Sequence, residues 1–161
     1  MTDTTSYRAL KARFQPLFDQ IAAGAIEREQ HRELAFDAVN QLREAGFTAL
    51  RVPQALGGAG VSLPVLFQLL IDLAEADSNL PQIVRAHFGF VEGRLSSRDA
   101  ASQDYWFAKV VAGQLWGAAM AERSDSSTNS VSLAPNDPHN EDAGWVLNGE
   151  KYYCCLLYTS P

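Results

Sequence analysis

Between Tyr7 and Ala112 the apolar residues recur every three or four positions in one stretch after another, a period that only helices packed against one another can satisfy. Leu10, Phe14, Leu17, Phe18, Ile21 and Ala25 make the first stripe, opposed by Arg8, Lys11, Arg13, Asp19 and Gln20. Pro16 is expected to kink that helix or to begin its second part, because proline lacks a backbone donor and crowds the preceding turn. A second helix is expected over Glu33 to Ala45, with Ala35, Ala38, Val39 and Leu42 inward and Gly46 closing it in the left-handed cap position. Ser62 caps a third, with Pro64 in its first turn and Leu66, Leu69, Leu70, Leu73 and Ala74 forming the most apolar stripe, that of a central core helix. After a break at Asp77-Ser78-Asn79, a fourth helix runs through Ile83, Val84, His87, Phe88 and Val91. Ser97 or Asp99 caps a fifth, from Ala100 to about Ala112, whose bulk comes from Tyr105, Trp106, Val110 and Val111.

Two connections carry their own reading. Phe47 to Pro53 reads as a short extended piece, and Gly57-Gly58-Ala59-Gly60 as a flexible loop. A phosphate cradle would need GxGxxG, or a Lys beside Ser/Thr after a buried strand, and neither is present.

The pattern changes at Gln114. Leu115 to Ala121 reads as a buried strand, Glu122 to Ser130 as a polar loop, Val131 to Ala134 as a short strand and Pro135 to Asp142 as another loop. Asn148-Gly149 then suits a type I′ turn, since both central residues need positive φ, so a tight hairpin of strands 144–147 and 150–154 is expected. The fold class is therefore α+β: an all-α N-terminal domain over 1–113, the first strands of a β-domain over 114–154, and an atypical tail over 155–161.

Composition narrows the function classes. A net charge of -6 among 161 residues argues against nucleic-acid binding, which needs lysine and arginine to neutralise phosphates. The chain shows no run near the ~20 apolar residues of a membrane span and no leader pattern, so it reads as cytoplasmic. Its two cysteines, Cys154 and Cys155, are adjacent and suit neither a long-range disulfide nor a zinc site.

Three stretches taken together resemble the acyl-CoA dehydrogenase superfamily: Gly46-Phe47 through Arg51-Val52-Pro53 to Gly57–Ser62, then Gly117 to Glu122, then Gly144-Trp145-Val146-Leu147-Asn148-Gly149-Glu150-Lys151. That resemblance implies a flavin, FAD or FMN, held by Ala121, Glu122, Arg123 and Ser124 together with the segment after the turn. Tyr153 takes the place of the aromatic residue against the flavin ring, and Cys155 that of a Thr/Ser near the reactive flavin nitrogen. Reduced flavin is an electron-rich planar anion, so such a site supplies a ring to stack on, N–H donors and dry walls.

Two departures qualify the likeness. Where dehydrogenases carry Thr-Glu-Pro and a Gly-Ser-Asp turn, this chain has Ala121-Glu122-Arg123-Ser124-Asp125, which lacks the flavin-contacting hydroxyl. It is more similar to the branch of dibenzothiophene and related sulfur-compound monooxygenases, served with reduced FMN by a separate reductase. In that branch His87 suits proton transfer near the flavin, although a lone histidine on an apolar helix also suits core packing. The second departure is Cys154-Cys155-Leu156-Leu157-Tyr158, where the family continues with a Thr/Ser-Gly step into further strands and a helical bundle. A truncated or chimeric end is expected there, and with it a fragment inactive alone, since the bundle completes the substrate pocket and the homotetramer.

The resemblance thus implies CH–CH oxidation of an acyl thioester or monooxygenation of a small sulfur or aromatic substrate, with a flavin reductase or electron-transfer partner. A non-catalytic helical interaction domain without flavin is the reading from a different class. Flavin affinity separates the two.

Overall fold

The structure, a computed structural model, describes residues 5–120, 131–137, 139, 140, 142 and 144–151, and the backbone of 154 and 155. Five helices come first: α1 (Tyr7–His31), α2 (Phe36–Glu44), α3 (Leu63–Ala76), α4 (Asn79–Leu95) and α5 (Ala100–Val111). Four short strands follow: β1 (Ala118–Ala119), β2 (Ser132–Pro135), β3 (Trp145–Asn148) and β4 (Cys154–Cys155). A helical N-terminal part leading into the start of a β-region is the α+β order expected from the periodicity.

Several helix ends have a local reason, but the expected Ser62 cap is not among them, since its side chain makes no capping hydrogen bond at the start of α3. The Ser6 side chain accepts from the Ala9 N–H at the start of α1, and Arg32, at φ 55°, turns its own N–H back onto the Arg28 and Glu29 carbonyls at the end. Pro16 does not divide α1, which runs 25 residues through it. Its buried stripe of Leu10, Phe14, Phe18 and Ile21 outweighs one missing backbone bond. Gly46, at φ 77°, follows α2 in the left-handed conformation expected of it, and the Arg13 guanidinium donates to the Ala45 carbonyl there at 2.6 Å. Asp99 caps α5 by accepting from the Ser102 N–H. The cap of α4 is less direct: Asp77, two residues upstream, accepts from the Asn79 N–H at 3.0 Å and also pairs with Arg28 of α1 at 2.9 Å.

The segment 47–53 is not extended. Phe47–Ala49 forms a 3₁₀ turn, because Phe47, Leu50 and Val52 must all point into the core within six residues and an extended chain would send alternate side chains outward. Phe47 sits edge-on to Phe14, Phe18 and Phe88, with ring centroids 5.2, 5.9 and 6.1 Å away. The glycine-rich loop is equally committed. A Cβ on Gly58 would lie 2.2 Å from the Val52 carbonyl oxygen, and Gly57 and Gly60 hold φ of 90° and 63°. These glycines serve close packing and left-handed turns.

The main core joins α1, α2, α3 and the N-terminal half of α4 around the phenylalanine group. A smaller cluster of Val52, Val91, Phe107 and Val110 lies between α4 and α5. Phe107 is the buried anchor of α5, whereas Tyr105 is 57% exposed and Val111 41%. α3 is less enclosed than its composition implies, since Phe67 and Ile71 stand on its outer face at 59% and 60% exposure.

Among the described residues the expected hairpin does not form. β3 pairs antiparallel with β2, Ser132 opposite Asn148 and Pro135 opposite Trp145, while β4 pairs with β1. Asn148 lacks the positive φ that a type I′ turn requires; Gly149 alone adopts it, at 143°. Partner strands more distant in the chain have displaced the local turn.

Candidate functional site

The α4–β1 junction holds His87 and the backbone of Cys155, the two expected site residues that the structure describes. α4 carries His87 inward by the period that also buries Leu80, Val84 and Val91. The ring is fully buried. Its Nε2 lies 2.9 Å from the Thr48 carbonyl oxygen and its Nδ1 3.4 Å from the Trp116 N–H. These partners assign one tautomer: Nε2–H donates to Thr48, and Nδ1 accepts from Trp116. Burial pushes the imidazole pKa below its ordinary value, and the Thr48 carbonyl pulls weakly the other way. His87 is thus a neutral, doubly bonded imidazole that ties two main-chain segments together, and the Trp116 contact is the weaker of its bonds. For the expected proton transfer to occur, that contact has to open.

Trp116 continues the junction outward. Its ring stacks on Phe90 at 4.7 Å with an interplanar angle of 5°, and Trp106 meets it edge-on at 5.9 Å. Two residues later the chain enters β1, which pairs Ala118 with Cys155 and Ala119 with Cys154. Lys151 donates to the Met120 carbonyl at 3.3 Å. The fold therefore brings Cys155, expected near the flavin, alongside the entry strand and leaves His87 behind Trp116 on the helical side. Ala121, Glu122, Arg123, Ser124 and Tyr153 lie outside the described residues, as does the Cys155 side chain.

The platform beneath is rigidly tied. Arg51 donates to both carboxylate oxygens of Glu92 on α4, its Nη2 at 3.1 Å, and to the Val61 carbonyl. One half-buried guanidinium thereby ties Val61, the residue after the glycine-rich loop, to the helix that carries His87. The roles of Trp116, Thr48 and Arg51 escape a reading of the sequence. Their partners are 29, 39 and 41 residues away, and the only local signal was a large aromatic residue set between Gly113 and Gly117.

A family model described as the acyl-CoA dehydrogenase N-terminal domain matches residues 4–114. The chain belongs to the acyl-CoA dehydrogenase family. Among curated proteins it is similar to a dibenzothiophene monooxygenase of Rhodococcus qingshengii, 26% identical over 140 residues, covering 86% of this chain and 33% of that protein. A 3-sulfinopropanoyl-CoA desulfinase of Variovorax paradoxus is 28% identical over 157 residues, 95% of this chain and 39% of that protein. A probable FMNH2-dependent monooxygenase, SfnC, of Pseudomonas putida is 30% identical over 141 residues, 86% of this chain and 33% of that protein. The chain spans about a third of the length of these relatives, and its match to the family model lies over the helices. Among the described residues no helix is long and apolar enough to cross a membrane.

Proposed function

We propose that this chain is the flavin-facing N-terminal part of an FMN-dependent monooxygenase acting on a small sulfur compound. The observation that supports the reading is the pairing of Ala118 with Cys155, 37 residues apart, which sets the strand that leads toward Ala121 beside one residue expected near the flavin. Relatives named as a dibenzothiophene monooxygenase and a probable FMNH2-dependent monooxygenase favour FMN and oxygen over FAD and an acyl thioester.

In this reading Ala121, Glu122, Arg123, Ser124, Tyr153 and Cys155 hold the flavin, which supplies two-electron chemistry and, once reduced, reactivity toward oxygen. Trp116, Phe90 and Trp106 wall off the helical side and exclude water. His87 keeps Trp116 in place, and opening of its bond to the Trp116 N–H frees Nδ1 for a proton. A separate reductase delivers the reduced flavin, and the protein at the length of its relatives assembles as a homotetramer.

The second reading is oxidation of an acyl thioester with resident FAD, favoured by likeness to the 3-sulfinopropanoyl-CoA desulfinase. One experiment separates both from a helical domain without flavin: titration of FMN and FAD into the protein at the length of its relatives, followed by assay with acyl-CoA and, separately, with a flavin reductase and a sulfur heterocycle. FMN binding with reductase-dependent oxygenation is the expected result. FAD that co-purifies and is bleached by acyl-CoA establishes the dehydrogenase instead, and no affinity for either flavin overturns both.

A further inference from the structure

A groove of about 570 Å³ opens where the end of α2 meets the end of α5 and the segment leading to β1. Tyr105, Trp106 and Trp116 supply aromatic surface to its lining, and Arg43 and Lys109 the charge. The Arg43 stem crosses Gly113, whose Cα is so placed that a Cβ would stand 3.3 Å from the arginine Cγ and Cδ, and this holds the guanidinium at the groove. Its only ion-pair contact among the described residues is Glu44, its chain neighbour, at 3.9 Å with a side chain 73% exposed. Lys109 has no carboxylate partner among the described residues and rests 4.8 Å from the centre of the Tyr105 ring. Among the described residues no acidic side chain lines the groove, in a chain whose net charge is -6.

The bland account is that both cations sit in the last turns of their helices and offset the helix dipoles there. For Lys109 that account leaves charge over: one helix C-terminus contributes roughly half a negative charge against a full positive one, and no carboxylate among the described residues pairs with it, whereas Arg43 also has Glu44 beside it. That excess faces a concave surface bearing aromatic rings.

We propose that this groove binds a planar aromatic anion of the nucleoside monophosphate kind, its ring against the tryptophans and its phosphate between Arg43 and Lys109. An aromatic face favours a stacked base whatever its identity, and two cations lining one groove favour a phosphate. The site uses none of the residues expected to hold the flavin, although Trp106 and Trp116 also belong to the wall assigned to the flavin side.

AMP is the probe, titrated into this chain by calorimetry and by quenching of tryptophan emission in a Trp145→Phe background, so that the signal reports Trp106 and Trp116. Expected is AMP binding with a Kd of about 0.1–1 mM, weakened by salt, with adenosine and inorganic phosphate each at least about tenfold weaker. The double substitution Arg43→Gln, Lys109→Gln is expected to weaken AMP by about tenfold or more without changing the circular dichroism. If that variant fails to fold, Lys109→Gln alone still lowers affinity several-fold. Coenzyme A displacing AMP would show that the groove takes the nucleotide end of a larger molecule, and its failure to compete would show that free nucleotide is the ligand. No AMP binding up to about 10 mM, equal binding of adenosine and AMP, or an affinity that Lys109→Gln leaves unchanged would overturn the proposal.

Discussion

His87 is held by one carbonyl and one N–H from segments on either side of it, and this makes the fold acid-sensitive in a calculable direction. In the unfolded chain the imidazole takes up a proton near its ordinary value of 6.5, whereas in the folded chain burial keeps it neutral to lower pH. Unfolding therefore binds a proton in that interval, and stability falls as pH drops below 6.5, with a limiting slope of about 1.4 kcal/mol per pH unit, and is constant above it. Urea denaturation between pH 5 and 8 checks this, and in His87→Gln this contribution should vanish. The glycines give a second residue-scale contrast. Gly58→Ala forces a methyl into the Val52 carbonyl and should cost about 1–3 kcal/mol. A Cβ on Gly89, inside α4, meets nothing within 4 Å, so Gly89→Ala should stabilise by about 0.5–1 kcal/mol. Thermal melts of the two variants should move in opposite directions.

Among the elements, the segment between α2 and α3 is the keystone, because Phe47 reaches the rings of α1 and α4 at once. Phe47→Ala should cost about 3–5 kcal/mol, comparable with the whole stability of a small domain, and should show in denaturation as a shifted or lost cooperative transition. The helices were legible because the 3.6-residue period is a local property. α2 and α5 end where their caps dictate, and the buried stripe of α2 is the one its spacing implies. Segment 47–53 was not legible, since a 3₁₀ turn that buries three large residues looks like a short strand until the pocket receiving them is known. The Asn148-Gly149 hairpin failed for a related reason: the turn chemistry allowed it, but β2 and β1 offered better partners.

Over the described residues, the β2–β3 ribbon presents one continuous apolar face. Leu133 faces Leu147 and Pro135 faces Trp145, which puts four apolar side chains on one side, and Leu133, Trp145 and Leu147 are 63%, 66% and 71% exposed. Such a face invites association. The 161-residue chain should therefore sediment with a concentration-dependent mass, and Leu133→Lys with Leu147→Lys should return it toward a monomer while leaving the helical circular dichroism intact.

By itself the sequence determined the helical order, the Gly46 and Asp99 caps and the family resemblance, all of which rest on spacing within a few turns of chain. The site was only partly legible: it named His87 and Cys155 but not what they touch. The tertiary structure decided that His87 is a neutral tie between Thr48 and Trp116, that Arg51 braces the glycine loop on α4, and that Cys155 lies beside Ala118. Strand pairing and buried hydrogen bonds are contests among distant partners, and their outcome depends on which groups the packed helices bring within reach.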